Sequence, residues 1–263
     1  MKMVGVLRAK EMTRKPKADR AIMNAVAKRL RKFGHRIVLL DEKNVNGNLL
    51  LHQPEFIFSM ARTQSALTML MAFSNHIPMV NSPMIAAMSL DTFELQTLME
   101  TKGFPHPQTT VMVLNEISHC SFPYVLKSPD KYGKRRDTII VDSPHKQKEA
   151  IEFFAENGED KVLVQEFVQG EPRKFYGIGP EVFLTDGGAT LSLEESGAIE
   201  DYSRRLGRDL MHLQIYGGEY IYTKDKGPVF TNLDDWPSFS PMRDEAAQKI
   251  TDLFLSYLGQ QSL

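Results

Sequence analysis

Strand-like and helix-like segments alternate through the first hundred residues, and this alternation constrains the chain more than any other feature. Met3–Leu7 (MVGVL) is a short apolar run fit for a buried strand. Ala18–Phe33 carries Ile22, Val26, Leu30 and Phe33 on one helical stripe, with Gly34 as its stop. Arg36–Leu40, Glu55–Met60 and Pro78–Val80 read as further strands, with loop chemistry at Asn44–Asn48 and a helix over Thr63–Ser74. Strands joined by crossover helices pair in parallel, so a parallel sheet is expected.

A helix from Asp91 to Lys102 leads into Gly103-Phe104-Pro105-His106-Pro107, and there the pattern changes. Thr110–Leu114, Tyr124–Lys127, Thr138–Val141, Val162–Phe167, Lys174–Ile178, Glu219–Tyr222 and Val229–Leu233 are strand-like. Helices are expected over Pro144–Asn157, Glu195–Arg205 and Arg243–Leu258. This is an α+β arrangement with mostly antiparallel connections. A domain boundary is expected at Gly103–Pro107.

With 42% hydrophobic residues the chain can build a core, which excludes a disordered tail or a collagen-like fibre. The net charge of −1 excludes a globally basic nucleic-acid coat. The one cysteine, Cys120, cannot form an internal disulfide and reads as a small buried apolar residue. No apolar run approaches the roughly 18 residues that cross a bilayer. A soluble, cytoplasmic globular protein with no membrane and no nucleic-acid partner is expected.

Charge is concentrated at the N-terminus, where only Glu11 and Asp19 oppose a run of cations between Lys2 and Arg36. Lys28, Arg29, Arg31 and Lys32 read as a solvated helix face. Arg8, Lys10 and Arg14 differ, because they follow a strand and precede a helix, where open α/β sheets bind ligands. They are candidates for holding an anionic substrate.

Three later segments carry chemistry. In Phe122–Asp137 a strand ends at Lys127 and enters a turn with Gly133, Lys131, Lys134, Arg135 and Arg136. A lysine at a strand end can hold a phosphate, and a basic loop can close over the rest. The ordinary alternative is a hairpin with a charged tip. In Val162–Gly179 an apolar strand breaks at Gly170-Glu171-Pro172 and could offer backbone groups to a purine edge, although most such strands are simply core. In the third, Asn232 and Asp234 lie two apart on a strand and share a face, with Glu219 a candidate for the neighbouring strand. Oxygen donors of this kind suit Mg²⁺.

Taken together, these segments resemble the ATP-grasp superfamily over nearly the whole chain. The resemblance runs from Pro78–Pro83 through Gly103–Thr109 and Phe122–Lys127 to Asp235-Trp236-Pro237-Ser238-Phe239 and Arg243–Ala247. The C-terminal stretch is similar to carboxylate–amine ligases of the glutathione-synthetase and ribosomal-protein-modification type. The resemblance implies an N-terminal Rossmann-like α/β domain over 1–104, a small central lid subdomain over 105–170 and a C-terminal antiparallel-sheet subdomain over 171–263, with ATP and Mg²⁺ as cofactors. It gives Lys127 the α/β-phosphates, makes Lys131–Arg136, with Lys134 and Arg135, the phosphate lid, and makes the backbone of Gln165, Glu166, Phe167 and Val168 the adenine hinge. Glu171 would reach the ribose, Phe230 would lie beneath the purine, and Lys174 would point at the γ-phosphate or acceptor.

Two positions depart from the family pattern. The family's lysine after the linker aspartate is replaced in Asp91-Thr92. Its acidic-x-Asn metal strand reads Asn232-Leu233-Asp234, with amide and carboxylate exchanged. Two Mg²⁺ ions are still expected, held by Glu219 and Asp234 with Asn232 as a neutral ligand.

The implied reaction is attack of a carboxylate on the γ-phosphate, followed by capture of the acylphosphate by an amine or thiol, with ADP and phosphate released. Arg173, Lys174, Arg208 and Arg243 are candidates for stabilising the oxyanion. The acceptors would be anionic small molecules or peptides, and a homodimer is among the expected states. A kinase acting on an anionic polyol is the rival, since Gln165–Val168 with Lys174-Phe175-Tyr176 is similar to inositol trisphosphate kinases. A nucleotide-binding module without turnover is the third reading, motivated by Thr92 and Asn232.

Overall fold

The structure is a computed structural model that describes residues 1–129, 138–185, 192–210 and 214–259. Its chain groups into two compact units. The first comprises Met1–Ala87, Lys174–Gly218 and Leu233–Leu263, and the second Met88–Arg173 and Glu219–Asn232.

In the first unit β1 (Lys2–Leu7), α1 (Pro16–Lys32), β2 (Arg36–Asp41), α2 (Gly47–Leu51), β3 (Phe56–Ser59), α3 (Gln64–Ser74) and β4 (Met79–Val80) follow the expected alternation. They form a parallel sheet in the order β2-β1-β3-β4. α1 begins two residues before Ala18, the expected start, because Pro16, whose ring fixes a helical φ, suits a first turn. Gly34 ends it at φ +82°. The centre of β1 is Gly5, where an added Cβ would meet Leu39 and Phe58 at 2.6 Å, so the sheet packs tightly over that position.

Two short helices escape the sequence pattern. α2 stands partly on residues expected as loop, started by the Asn46 side chain accepting from the N–H of Asn48. α4 (Pro83–Met88) is too short to show a period. The core of this unit joins Met3, Leu7, Ile22, Val26, Leu30, Phe56 and Phe58 to Trp236, Phe239, Ile250 and Phe254. Ile250 and Phe254 come from α8 (Arg243–Tyr257), and Trp236 and Phe239 from the turn that joins it to β12 (Gly227–Asp235). Phe254 of α8 lies 5.2 Å from Phe56 and 5.3 Å from Phe58, ring to ring.

The second unit holds α5 (Thr92–Thr101), β5 (Thr109–Val113), β6 (Tyr124–Lys127), β7 (Thr138–Val141), α6 (Pro144–Glu156) and β8 (Lys161–Glu166). Its sheet runs β5-β8-β6-β7 and is antiparallel throughout. Leu126, Val141, Phe154 and Val162 form its core. Asp91 caps α5 by accepting from Phe93 and Glu94 N–H at 2.8 and 2.9 Å. Cys120 is half-buried beside that core rather than fully enclosed, its Sγ 3.7 Å from Met112 Sδ, and burial pushes its thiol pKa up.

The third sheet has the order β10-β9-β11-β12, from β9 (Arg173–Ile178), β10 (Glu181–Thr185), β11 (Ile215–Thr223) and β12. β9 and β10 pair antiparallel. α7 (Leu193–Arg205) completes the elements and passes into a π-helical turn at Leu206–Leu210. β11 and β12 are longer than the apolar pattern indicated, and β12 continues through Asp234 and Asp235. One parallel and two antiparallel sheets are the α/β plus α+β architecture expected from the sequence.

Candidate active site

In the second unit, β6 delivers Lys127 at its last position, in register with Leu163 of β8 and Thr138 of β7. The side chain is half-buried, and its ammonium donates to the Thr231 carbonyl at 3.3 Å. The expected phosphate lysine and the expected metal strand therefore meet within one unit, although 104 residues separate them in sequence. Thr231 Oγ1 in turn donates to the Glu219 carbonyl at 3.3 Å, which ties β12 to β11 beside Glu219. Phe230 is 1% exposed and its N–H donates to the Pro105 carbonyl. Its ring is covered by the chain and offers almost no open face.

The expected hinge lies at the end of β8. Gln165 is buried, with its amide donating to Thr109 Oγ1 at 2.9 Å. Glu166 closes the strand, accepting from Lys226 Nζ at 3.0 Å and the Gln108 N–H at 3.2 Å. Burial pushes its pKa up, but these two partners outweigh burial and hold the carboxyl below the ordinary glutamate value. Phe167 and Val168 are half-buried and follow the last strand residue. Gly170 sits at φ +142°, where an added Cβ would meet Ile221 Cγ2 at 2.5 Å. Glu171 is exposed. Lys134, Arg135 and the rest of Lys131–Arg136 lie outside the described residues.

β12 alternates Asn232 and Asp234 on one face with Leu233 and Asp235 on the other, and the two aspartates belong to the first unit. Asp235 is fully buried and Asp234 partly exposed. Arg62, unmarked by the sequence reading, contacts both carboxylates. Its Nε and an Nη lie 3.2 and 3.0 Å from Asp235 Oδ1, and that Nη is 3.8 Å from Asp234 Oδ1. Arg62 follows β3 as Arg8 follows β1, so the same strand-end logic applied to Ala61-Arg62 would have found it.

Arg8 departs from the expectation of an open acceptor-binding cation. It is 8% exposed, paired with Asp19 at 3.1 Å, and donates to the carbonyls of Met60, Asp235 and Trp236. Lys10 and Arg14 are exposed. Arg29 and Arg31 are not merely solvated: they donate to Gln248 Oε1 and the Ile37 carbonyl. Arg173 is half-buried and Lys174 exposed on β9. Arg208 is exposed on the π-helical turn, where its bonds to Asp209 raise its pKa. Arg243 opens α8 with a buried Nε that has no hydrogen-bond partner among the described residues.

Glu219, Asn232 and Asp234 are hard oxygen donors, the type Mg²⁺ takes alongside water and substrate phosphates. Among the described residues no three His, Cys, Asp or Glu side chains gather as an all-protein cage. Carboxylate and amide oxygens of this kind fit Mg²⁺ by donor chemistry. Among the described residues, no helix is long and apolar enough to cross a membrane.

No family model and no curated protein matches the chain in sequence. Solved structures do match its fold. A D-alanine–D-alanine ligase from Bacillus anthracis aligns at TM-score 0.74 and 13% identity, over 99% of this chain and 97% of that one. A RimK-domain ATP-grasp protein from Sphaerobacter thermophilus aligns at TM-score 0.70 and 20% identity, over 95% and 98%. The N5-carboxyaminoimidazole ribonucleotide synthetase from Thermotoga maritima aligns at TM-score 0.71 and 14% identity, over 99% and 76%. Likeness at such low identity speaks for the fold, and the fold is ATP-grasp.

Proposed function

We propose that this chain, built on the ATP-grasp fold, is an ATP-dependent carboxylate–amine or carboxylate–thiol ligase that works through an acylphosphate and releases ADP and phosphate. The observation that carries the reading is Lys127, a half-buried strand-end ammonium held at the Thr231 carbonyl, between Phe230 and Asn232 in sequence. A cation held in this way is pre-organised for phosphate oxygens. In this reading Lys134 and Arg135 join it, and the backbone of Gln165, Glu166, Phe167 and Val168 recognises adenine. Glu171 takes the ribose, and Phe230 backs the base from within the core.

Glu219, Asn232 and Asp234 are the donors for Mg²⁺, which when bound neutralises charge across the phosphates. Arg173, Lys174, Arg208 and Arg243 stabilise the acylphosphate and the oxyanion of its capture. Lys10 and Arg14 attract an anionic acceptor, while Arg8 fixes the loop that carries them. The division at 1–104, 105–170 and 171–263 and a cytoplasmic location belong to the same reading, the latter in keeping with an unbridged cysteine.

Calorimetry with ATP, with and without Mg²⁺, tests this on the wild type, Lys127→Ala and Asp234→Ala. Loss of a hydrogen bond to a charged phosphate predicts that Lys127→Ala weakens ATP binding by roughly tenfold or more. Asp234→Ala is expected to abolish the Mg²⁺ enhancement. Free phosphate released together with ADP, in the presence of a carboxylate and an amine, separates the ligase from a polyol kinase, which transfers the phosphate instead. Absence of ATP binding under all conditions would end the enzyme reading.

A further inference from the structure

Arg62 is held from both ends. Its N–H donates to Glu42 Oε2 at 2.7 Å, and the same carboxylate accepts from the Thr63 N–H at 2.7 Å, from Thr63 Oγ1 at 3.0 Å and, through its other oxygen, from the Ala9 N–H. Glu42 is 1% exposed, so the main chain at Arg62 is anchored by a buried anion. The guanidinium is anchored by Asp235, through Oδ1 and through its carbonyl at 3.1 Å. Arg62 and Asp235 have side-chain exposures of 4% and 0%. Moving the arginine away would strand a buried carboxylate, so the pair stays put.

The pair is a fixed dipole, and its positive end faces Asp234. The Arg62 Nη lies 3.8 Å from Asp234 Oδ1, while Asp235 points to the opposite face of β12. Asp234 is 28% exposed at its side chain and accessible to a cation from solvent. Any divalent ion approaching that oxygen meets a positive charge that cannot swing aside.

We propose that Arg62 is a positioning residue that opposes capture of a bare divalent cation by Asp234, so that metal enters this site with the charge of a polyphosphate. The proposal rests on the reading of Asp234 as a metal donor. It adds a regulatory element to that site: occupancy by metal becomes conditional on nucleotide. In high dielectric the repulsion between Arg62 and the metal is modest but persistent, and it is reduced only when phosphate oxygens share the cation.

The test is Mn²⁺ binding to the full chain without nucleotide, read from the electron paramagnetic resonance signal of the free ion. Wild type, Arg62→Lys, Arg62→Gln, Arg62→Gln/Asp235→Asn and that double variant with Asp234→Asn added are compared, with circular dichroism and melting curves as the check on folding. Arg62→Gln risks misfolding because it leaves Asp235 unpaired. The double variant replaces both charges with amides and keeps the test available.

Mn²⁺ affinity in the double variant is expected to rise at least about fivefold, with Arg62→Lys near wild type because it keeps the charge. With a nucleotide triphosphate present, the difference between wild type and the double variant is expected to shrink. Unchanged or weaker Mn²⁺ binding in the double variant, or Arg62→Lys binding as tightly as the double variant, overturns the role of Arg62. If adding Asp234→Asn leaves Mn²⁺ binding unaltered, the reading of Asp234 as a metal donor fails and takes this proposal with it.

Discussion

The two units use charge in opposite ways. In the first, Arg8, Asp19, Glu42, Arg62 and Asp235 are all less than 9% exposed, and each has a named partner inside the protein. In the second, the ionic groups at the candidate site stand half in water: Lys127 on a carbonyl, and Glu166 paired with Lys226 at side-chain exposures of 36% and 61%. A buried charge can be released only at the cost of stranding its partner, so it serves to set geometry. A half-exposed charge can change partners cheaply, so it can meet a ligand. The sign of a residue therefore says less about its role than the solvent around it.

The contrast can be broken most forcefully at Arg8. Arg8→Met removes the partner of a buried aspartate and is expected to lower stability by about 3–5 kcal/mol, measured by urea unfolding. A variant that instead keeps its stability and loses only acceptor affinity would return Arg8 to the surface role that its position suggested. At Gly170 the second unit is expected to prove rigid in one place. Gly170→Ala combines a left-handed φ with a Cβ clash against Ile221, and a loss of about 1–3 kcal/mol is expected in the same assay.

The smallest effect is expected at Glu166. Its lowered pKa means that its pairing stabilises the fold fully above the ordinary glutamate value and ceases to do so as pH falls through the lowered one. Because the pair is well exposed, Glu166→Gln should change stability at neutral pH by less than about 1 kcal/mol. Melting curves between pH 3 and 7 should flatten slightly at the acidic end. A larger change would show that solvent does not screen the second unit as the comparison requires.

How much of this was legible in the chain depended on distance. The parallel sheet was written locally, in apolar runs of a few residues separated by one helical stripe, and each run could be read alone. Lys127 was legible because it ends such a run. Arg8 was correctly placed at a strand end, but its burial depends on Asp19 eleven residues on and on carbonyls 227 and 228 residues away. Arg62 left no periodic trace, and its partner Asp235 is 173 residues distant. Asp234 and Asp235 are adjacent in sequence, yet one side chain is 28% exposed and the other fully buried. Their different fates follow from a strand that continues through both of them, and the apolar run that should have marked its end stopped at Leu233.

The aromatic contacts of Phe254 with Phe56 and Phe58 have a consequence for how the molecule is made. A ribosome adding about 5–20 residues per second finishes Phe56 roughly 10–40 s before it reaches Phe254. During that interval the oldest sheet has its strands and α1 but lacks the aromatic contacts that α8 will bring. Stalling translation before α8 emerges should leave β3 open to protease, where the finished chain would resist it.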